Sequence, residues 1–246
     1  MKDSLMNLLF AFTFTLVYAI PAFSLDGTEI LKKVDANLQP ESFESYRKLI
    51  NIEPSGAKRE FLLYTLKKGN DKIASLFLSP ASEKGRATLR LGDNMWLYIP
   101  NVGKPIRITS LQSVVGGVFN NADIMRLDYN VEYNVEKIED EKSEYVLDLK
   151  AKTATVAYDK LKMWVDKKTI VPTKVERYAA TGLLIKTLYF KERKSFEGVL
   201  RPSVIETDSP LYKGYQSILA YANVKKRIVP DEVFTLEFLA KIETIR

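Results

Sequence analysis

Four carboxylates, Glu139, Asp140, Glu141 and Glu144, are clustered closely enough to suggest paired acids for general acid–base chemistry. Lys137 and Lys142 are interleaved with them, and strand-like runs flank the segment. It therefore reads as a solvated hairpin turn. The chain contains no histidine and no cysteine. That excludes Ser-His-Asp and Cys-His catalysis, His-rich zinc sites and the His-Glu-x-x-His motif. The patterns G-x-S-x-G, G-x-G-x-x-G and the phosphate-binding P-loop are absent as well. These residue types point to a protein that is not an enzyme and calls for no metal and no cofactor. A hydrolase working through carboxylates is the remaining enzymatic alternative.

Large apolar groups take the place of reactive ones. "GDNMWLYIPNVGKPIRI", Gly92 to Ile108, sets Trp96 and Tyr98 on one face of a strand and Met95, Leu97 and Ile99 on the other. Either set could line a cavity, or both could pack as ordinary core. "SLQSVVGGVFNNADIMR", Ser110 to Arg126, places Val114, Val115, Val118 and Phe119 in a glycine-containing loop, where no strand pairing calls for apolar side chains. That loop reads as a lid or a ligand contact, with ordinary core as the alternative. A lid over an empty site should leave this apolar area partly exposed. Leu76, Phe77, Met163 and Trp164 are further cavity candidates whose facing the sequence leaves open.

The elements that must position these residues are mostly strands. Asp26 with Glu29 three residues on, followed by Ile30, Leu31, Val34 and Leu38, predicts a capped helix ending at Pro40. Strand-like runs follow at 45–52, 58–67, 73–79, 86–91, 95–99, 106–109, 131–138, 145–150, 160–166, 173–179, 184–191, 201–207 and 215–225. Short turns between them, such as Gly69-Asn70-Asp71 and Gly92-Asp93-Asn94, favour antiparallel neighbours. A short helix is expected at Ala122–Leu127, and a turn with a last helix in "PDEVFTLEFLAKI". Phe61 to Tyr64 and "IASLFL", Ile73 to Leu78, are apolar on both strand faces. Such strands are covered on both sides or line a cavity.

Residues 1–24 have the layout of a cleaved export signal. Lys2 is followed by the uncharged run Leu8–Phe23 and by Ala22-Phe23-Ser24 ahead of a cut before Leu25. The run is shorter than the ~20 apolar residues of a membrane span. Residues 25–246 then form one domain, and they keep the net charge of +6 because Lys2 and Asp3 cancel. An exported chain rarely meets nucleic acid, so its positive surface suits anionic lipid or an acidic partner. Lys191–Lys194 and Lys225-Lys226-Arg227 are the basic clusters for such a contact.

At this point the chain resembles a known family. "LFLSPASEKGRATLRLGDNMWLYIPNVGKPIRI", Leu76 to Ile108, closely resembles the outer-membrane lipoprotein-sorting (LolA-like) proteins. "KMWVDKKTIVPTKVERYAATGLLIKTLYF", Lys162 to Phe190, and "VPDEVFTLEFL", Val229 to Leu239, continue the resemblance in register. It departs at Gly116–Asp123, where only a glycine and Asp123 keep the family pattern. The resemblance implies a mainly β fold. This is a half-open antiparallel β-barrel of about 11 strands, with a few short helices and a loop covering an apolar concave face. It also implies a monomeric periplasmic carrier that shields acyl chains of lipoproteins or other lipids. An inner-membrane transporter would load it and an outer-membrane acceptor would receive the cargo. Arg47 lies where the family's carriers place an arginine that tethers the lid, although a solvated strand arginine fits the spacing too. A scaffold module of an envelope lipid transporter is the non-carrier alternative. An acyl chain of about 14–16 carbons offers a gross burial term on the order of 10 kcal/mol at ~0.8 kcal/mol per methylene.

Overall fold

The computed structural model describes residues 26–246; the expected export signal at 1–24 lies outside them. α1 spans Gly27–Leu38. Asp26, in extended conformation, accepts the Thr28 N–H at 2.9 Å, which satisfies a first-turn donor that has no partner inside the helix. Ile30, Leu31 and Val34 form the buried stripe. At Gln39 the chain returns to extended backbone, and Pro40 follows.

The strands are β1 (Phe43–Ile52), β2 (Lys58–Lys68), β3 (Lys72–Ser79), β4 (Ala87–Leu91), β5 (Asn94–Tyr98), β6 (Ile106–Ile108), β7 (Tyr133–Asp140), β8 (Glu144–Ala151), β9 (Lys160–Asp166), β10 (Val171–Tyr178), β11 (Leu184–Phe196), β12 (Val199–Asp208) and β13 (Gln216–Lys226). They form a single 13-stranded sheet in the order β6-β5-β4-β3-β2-β1-β13-β12-β11-β10-β9-β8-β7. This is one strand for each run marked by turn signals, rather than the smaller number that the resemblance implies. Every neighbouring pair is antiparallel. Two hairpin meanders meet where β1 pairs with β13, from Phe43 opposite Lys226 to Ile52 opposite Gln216. β6 and β7 are the two ends of the sheet and do not pair with each other, so the sheet stays open as a half-barrel.

Residues 109–132 connect those two free edges and carry α2 (Asn121–Ile124) and α3 (Tyr129–Glu132). The helix expected at Ala122–Leu127 therefore stops early. Two arginines of the sheet explain the stop. Arg47 donates to the Ile124 carbonyl at 2.8 Å and Arg90 to the Met125 carbonyl at 3.0 Å. Those carbonyls are held by the sheet instead of by the next helical turn.

The C-terminal segment explains the strands that are apolar on both faces. A 3-10 turn at Asp231–Phe234, α4 (Leu236–Leu239) and a second 3-10 turn at Ile242–Ile245 lie on the convex side. Val229, Val233, Phe234, Leu239 and Ile242 pack there against Tyr64, Leu66, Ala74, Leu76 and Leu89. Residues one position along each strand face the concave side, as the two-residue strand period requires.

Candidate ligand-binding interior and its lid

The concave face carries the larger apolar cluster. Leu49, Phe61, Leu63, Phe77 and Met95 come from one half of the sheet, and Leu147, Leu161, Met163, Val175 and Leu188 from the other. α1 contributes Ile30, Leu31 and Val34, and the connection contributes Val114, Phe119, Ile124, Met125 and Leu127. The connection therefore lies in the interior as a plug. Val114, Val118 and Phe119 are 6%, 3% and 1% exposed. This corrects the expectation of partly exposed side chains at Val114, Val118 and Phe119; of the four apolar loop residues, Val115 alone keeps part of its surface in solvent.

The tip of the lid is a small hairpin. Ser113 bridges Asn120, Val114 N–H donates to the Phe119 carbonyl at 3.0 Å, and Gly117 N–H donates to the Val114 carbonyl at 3.1 Å. Both central residues of the turn are left-handed, Val115 at φ 47° and Gly116 at φ 74°. Glycine adopts this conformation freely, whereas a β-branched valine does so only under strain. Gly117 meets a different requirement, since a Cβ there would sit 2.1 Å from Asn51 Oδ1. Asn51 cannot easily withdraw, because Ser217 Oγ donates to it at 2.8 Å and also accepts the Val118 N–H at 2.9 Å.

Charged side chains projecting from the inner face hold the rest of the lid. Asp123 in α2 pairs with Arg177 of β10 and, at 2.9 Å, with Lys186 of β11. It also accepts the Tyr158 hydroxyl at 3.0 Å, and Tyr158 in turn accepts from Asn120. Burial alone would raise the Asp123 carboxyl pKa. The charges of Arg177 and Lys186 override that and hold it below the usual carboxylate value. Lys67 of β2 pairs with Asp128 at 2.8 Å. Asp35 of α1 accepts the N–H groups of Tyr129 and Asn130 at 2.8 Å each, so α1 anchors the start of α3. Burial pushes Asp35 up to about 6, against the opposing pull of Arg126 and of those backbone donors.

The residues singled out in the sequence divide between the two faces. Phe77, Val114, Phe119 and Met163 meet in the interior cluster, with Val115 packed at its margin. Val118 is buried, and its carbonyl accepts from Lys186. Leu76, Trp96 and Tyr98 lie on the convex face with the C-terminal helices. Trp164 also points outward, with the Lys174 ammonium 3.5 Å from its ring centre. Arg47 is buried and binds Thr65 and the Ile124 carbonyl. The acidic cluster lies on the exposed β7–β8 hairpin, with Glu139 paired to Lys137 at 2.7 Å and Asp140 paired to Lys167. Among the described residues no group of acids is placed to hold a metal, and no helix is long and apolar enough to cross a membrane.

Asp123, Arg177, Lys186, Asp35 and Lys67 went unrecognised in the sequence. For Arg177, Lys186 and Lys67 the signal was present, as cations at inward positions of largely apolar strands; Asp123 and Asp35 lie on helices and carried no such signal. Reading the signal of the cations requires knowing which face is inward.

A family profile described as an uncharacterized protein matches residues 69–241. No curated protein matches the sequence. Among solved structures, the chain is similar to a LolA superfamily protein from Nitrosomonas europaea. The two are 30% identical, with a TM-score of 0.79, over 87% of this chain and 100% of that one. A domain described as outer membrane lipoprotein-sorting, from Vibrio parahaemolyticus, shares the fold at 22% identity and TM-score 0.72, over 87% and 98% of the two chains. A DUF1329 family protein from Desulfovibrio piger shares it at 21% identity and TM-score 0.73, over 87% and 97%.

Proposed function

Because this chain belongs to the LolA superfamily, we propose that it is a periplasmic carrier. Its concave face would hold the acyl chains of lipoproteins or other lipids on their way to the outer membrane. The observation that supports this most directly is the way the lid is seated. Its apolar side chains fill the concave face, yet polar tethers hold its backbone at Val118 and Ile124 and its side chain at Asp123.

Energetics explain why such a lid suits a carrier. Val114, Val118, Phe119, Ile124, Met125 and Leu127 are all buried. At about 1.5–3 kcal/mol per side chain, their gross burial term is on the order of 10 kcal/mol. One acyl chain offers a similar gross term. Lid and cargo then compete for the same surface on nearly equal terms, so loading and release need only a modest bias from a donor or an acceptor. In this reading the carrier is a monomer that is loaded by an inner-membrane transporter and unloaded at an outer-membrane acceptor. No step requires a catalytic group or a cofactor. Export precedes all of this, and the mature N-terminus should lie at or near Leu25.

The same burial also favours a second reading, a scaffold module of an envelope complex whose interior is only core. Two measurements separate the readings. Native mass spectrometry of protein from the envelope fraction should reveal bound lipid, and a fluorescent fatty-acid probe should bind saturably. Lipid-free protein that also fails to bind the probe would leave the scaffold.

A further inference from the structure

At the end of the half-barrel where α1 turns into β1, an open groove of about 600 Å³ runs between Gln39–Ser42, the start of β12 and the end of β13. Arg201 forms part of its floor, Lys226 part of its wall, and Glu41 is the acid on its rim. Adjoining it is a slot of only about 20 Å³, where Leu38, Phe190, Ile205 and Tyr221 lie with Arg126 and Arg201. Arg201 lines both the open groove and this slot. Leu38, Phe190, Ile205 and Tyr221 also pack against the interior cluster, so the slot leads towards the concave face.

Arg201 is 4% exposed. One of its terminal nitrogens donates to the carbonyls of Ala36 at 3.1 Å and Asn37 at 2.8 Å, at the end of α1. Its Nε is buried without a partner, as are those of Arg86 and Arg177, but each of those two arginines also has a carboxylate partner. Each of the other inner-face cations described above has a carboxylate or lid carbonyl as partner, whereas among the described residues no carboxylate forms an ion pair with Arg201. Glu197, in the adjacent turn, accepts the Lys226 backbone N–H instead. A guanidinium stays charged in a protein, and a buried charge without a counter-ion is costly. Helix capping accounts for one terminal nitrogen of Arg201 and leaves the unpartnered Nε unexplained.

We propose that Arg201, assisted by Lys226, binds the anionic headgroup of a long-chain amphiphile, a carboxylate or a phosphate, whose acyl tail enters through the slot beside Phe190, Ile205 and Tyr221. The proposal rests on the reading of the interior as an acyl site and adds where the cargo enters and which headgroup it carries. A planar guanidinium matches a carboxylate or phosphate with two parallel hydrogen bonds.

The test is competition against a fluorescent acyl probe by palmitate, hexadecyl phosphate, hexadecanol and inorganic phosphate. Palmitate or hexadecyl phosphate should compete about tenfold or more better than hexadecanol, and whichever is stronger identifies the headgroup. Arg201→Gln should abolish that preference while hexadecanol binding is retained. Lys226→Ser, at the solvent-facing side of the groove, should reduce the preference severalfold and covers the case in which Arg201→Gln does not fold. Equal competition by all the long-chain compounds, or an undiminished preference in the variants, would overturn the headgroup site and leave the acyl reading intact. Competition by inorganic phosphate alone would mean a bare anion site and overturn the proposal. If no long-chain compound competes and the probe itself does not bind, the acyl reading fails and this proposal fails with it.

Discussion

Replacing Asp123 with asparagine is expected to release the lid without unfolding the sheet. The carboxylate is buried between Arg177 and Lys186, whose side chains are each 4% exposed. Asparagine keeps the shape and an oxygen for the N-cap but removes the charge, leaving two buried cations uncompensated. Removing one partner of a buried pair costs about 3–5 kcal/mol. Arg177 and Lys186 stay fixed in the paired strands β10 and β11, whereas the lid backbone is held only at its tethers. The cost should therefore fall on closure of the lid. At about 1.4 kcal/mol per factor of ten, the open fraction would rise by two to three orders of magnitude. Amide hydrogen exchange reads this directly. Val118, Ile124 and Met125 should lose protection by that factor, while amides in β1 and β2 keep most of theirs. Apparent affinity for an acyl probe should rise as well, because a larger share of molecules is competent to bind. Lid and strand amides accelerating together would refute the reasoning, since Asp123 would then belong to the global core and the lid would not open on its own. Unchanged lid exchange would refute it equally.

Other outcomes follow from the same geometry. Gly117→Ala should displace the lid tip from Asn51 and break the Val118–Ser217 hydrogen bond, costing about 1–3 kcal/mol of lid closure; Val118 amide exchange measures it. Phe234→Ala, beneath the convex face, should cost about 3–5 kcal/mol and red-shift Trp96 fluorescence, with acyl-probe affinity unchanged. Asp35 has a folded pKa of about 6 against an ordinary 3.8, so the native state holds its proton longer than the unfolded chain does. Its contribution is complete below the ordinary value and lost as pH rises through about 6, a decline of about 3 kcal/mol. Urea midpoints between pH 4 and 7 should show this decline in the parent chain and a flatter profile in Asp35→Asn. An identical slope in both would remove Asp35 as its source.

Local chemistry made much of the architecture legible in the sequence. Asp26, the helical spacing of Ile30, Leu31 and Val34, and Pro40 set the bounds of α1 because caps and periodicity act within a few residues. The turn signals between apolar runs marked all the strands for the same reason. The acidic hairpin at 139–144 was recognisable from its interleaved lysines, and the loop at 110–126 stood out because its apolar residues belong to no strand. What the sequence left open was which face is inward. Leu76 and Phe77 are adjacent and equally apolar, yet one packs under the C-terminal helices and the other lines the interior. That choice depends on where residues 229–245 lie, far away in the chain. Trp96, conspicuous in the sequence, points outward for the same reason, and Trp164 points outward beneath the Lys174 ammonium. The clamps were hidden more deeply. Asp123 meets Arg177 and Lys186 across 54 and 63 residues, and only the folded sheet brings them into contact. A cation in a strand looks solvated until closure of the half-barrel buries it, and burial is what turns an ordinary charge into a requirement for a partner.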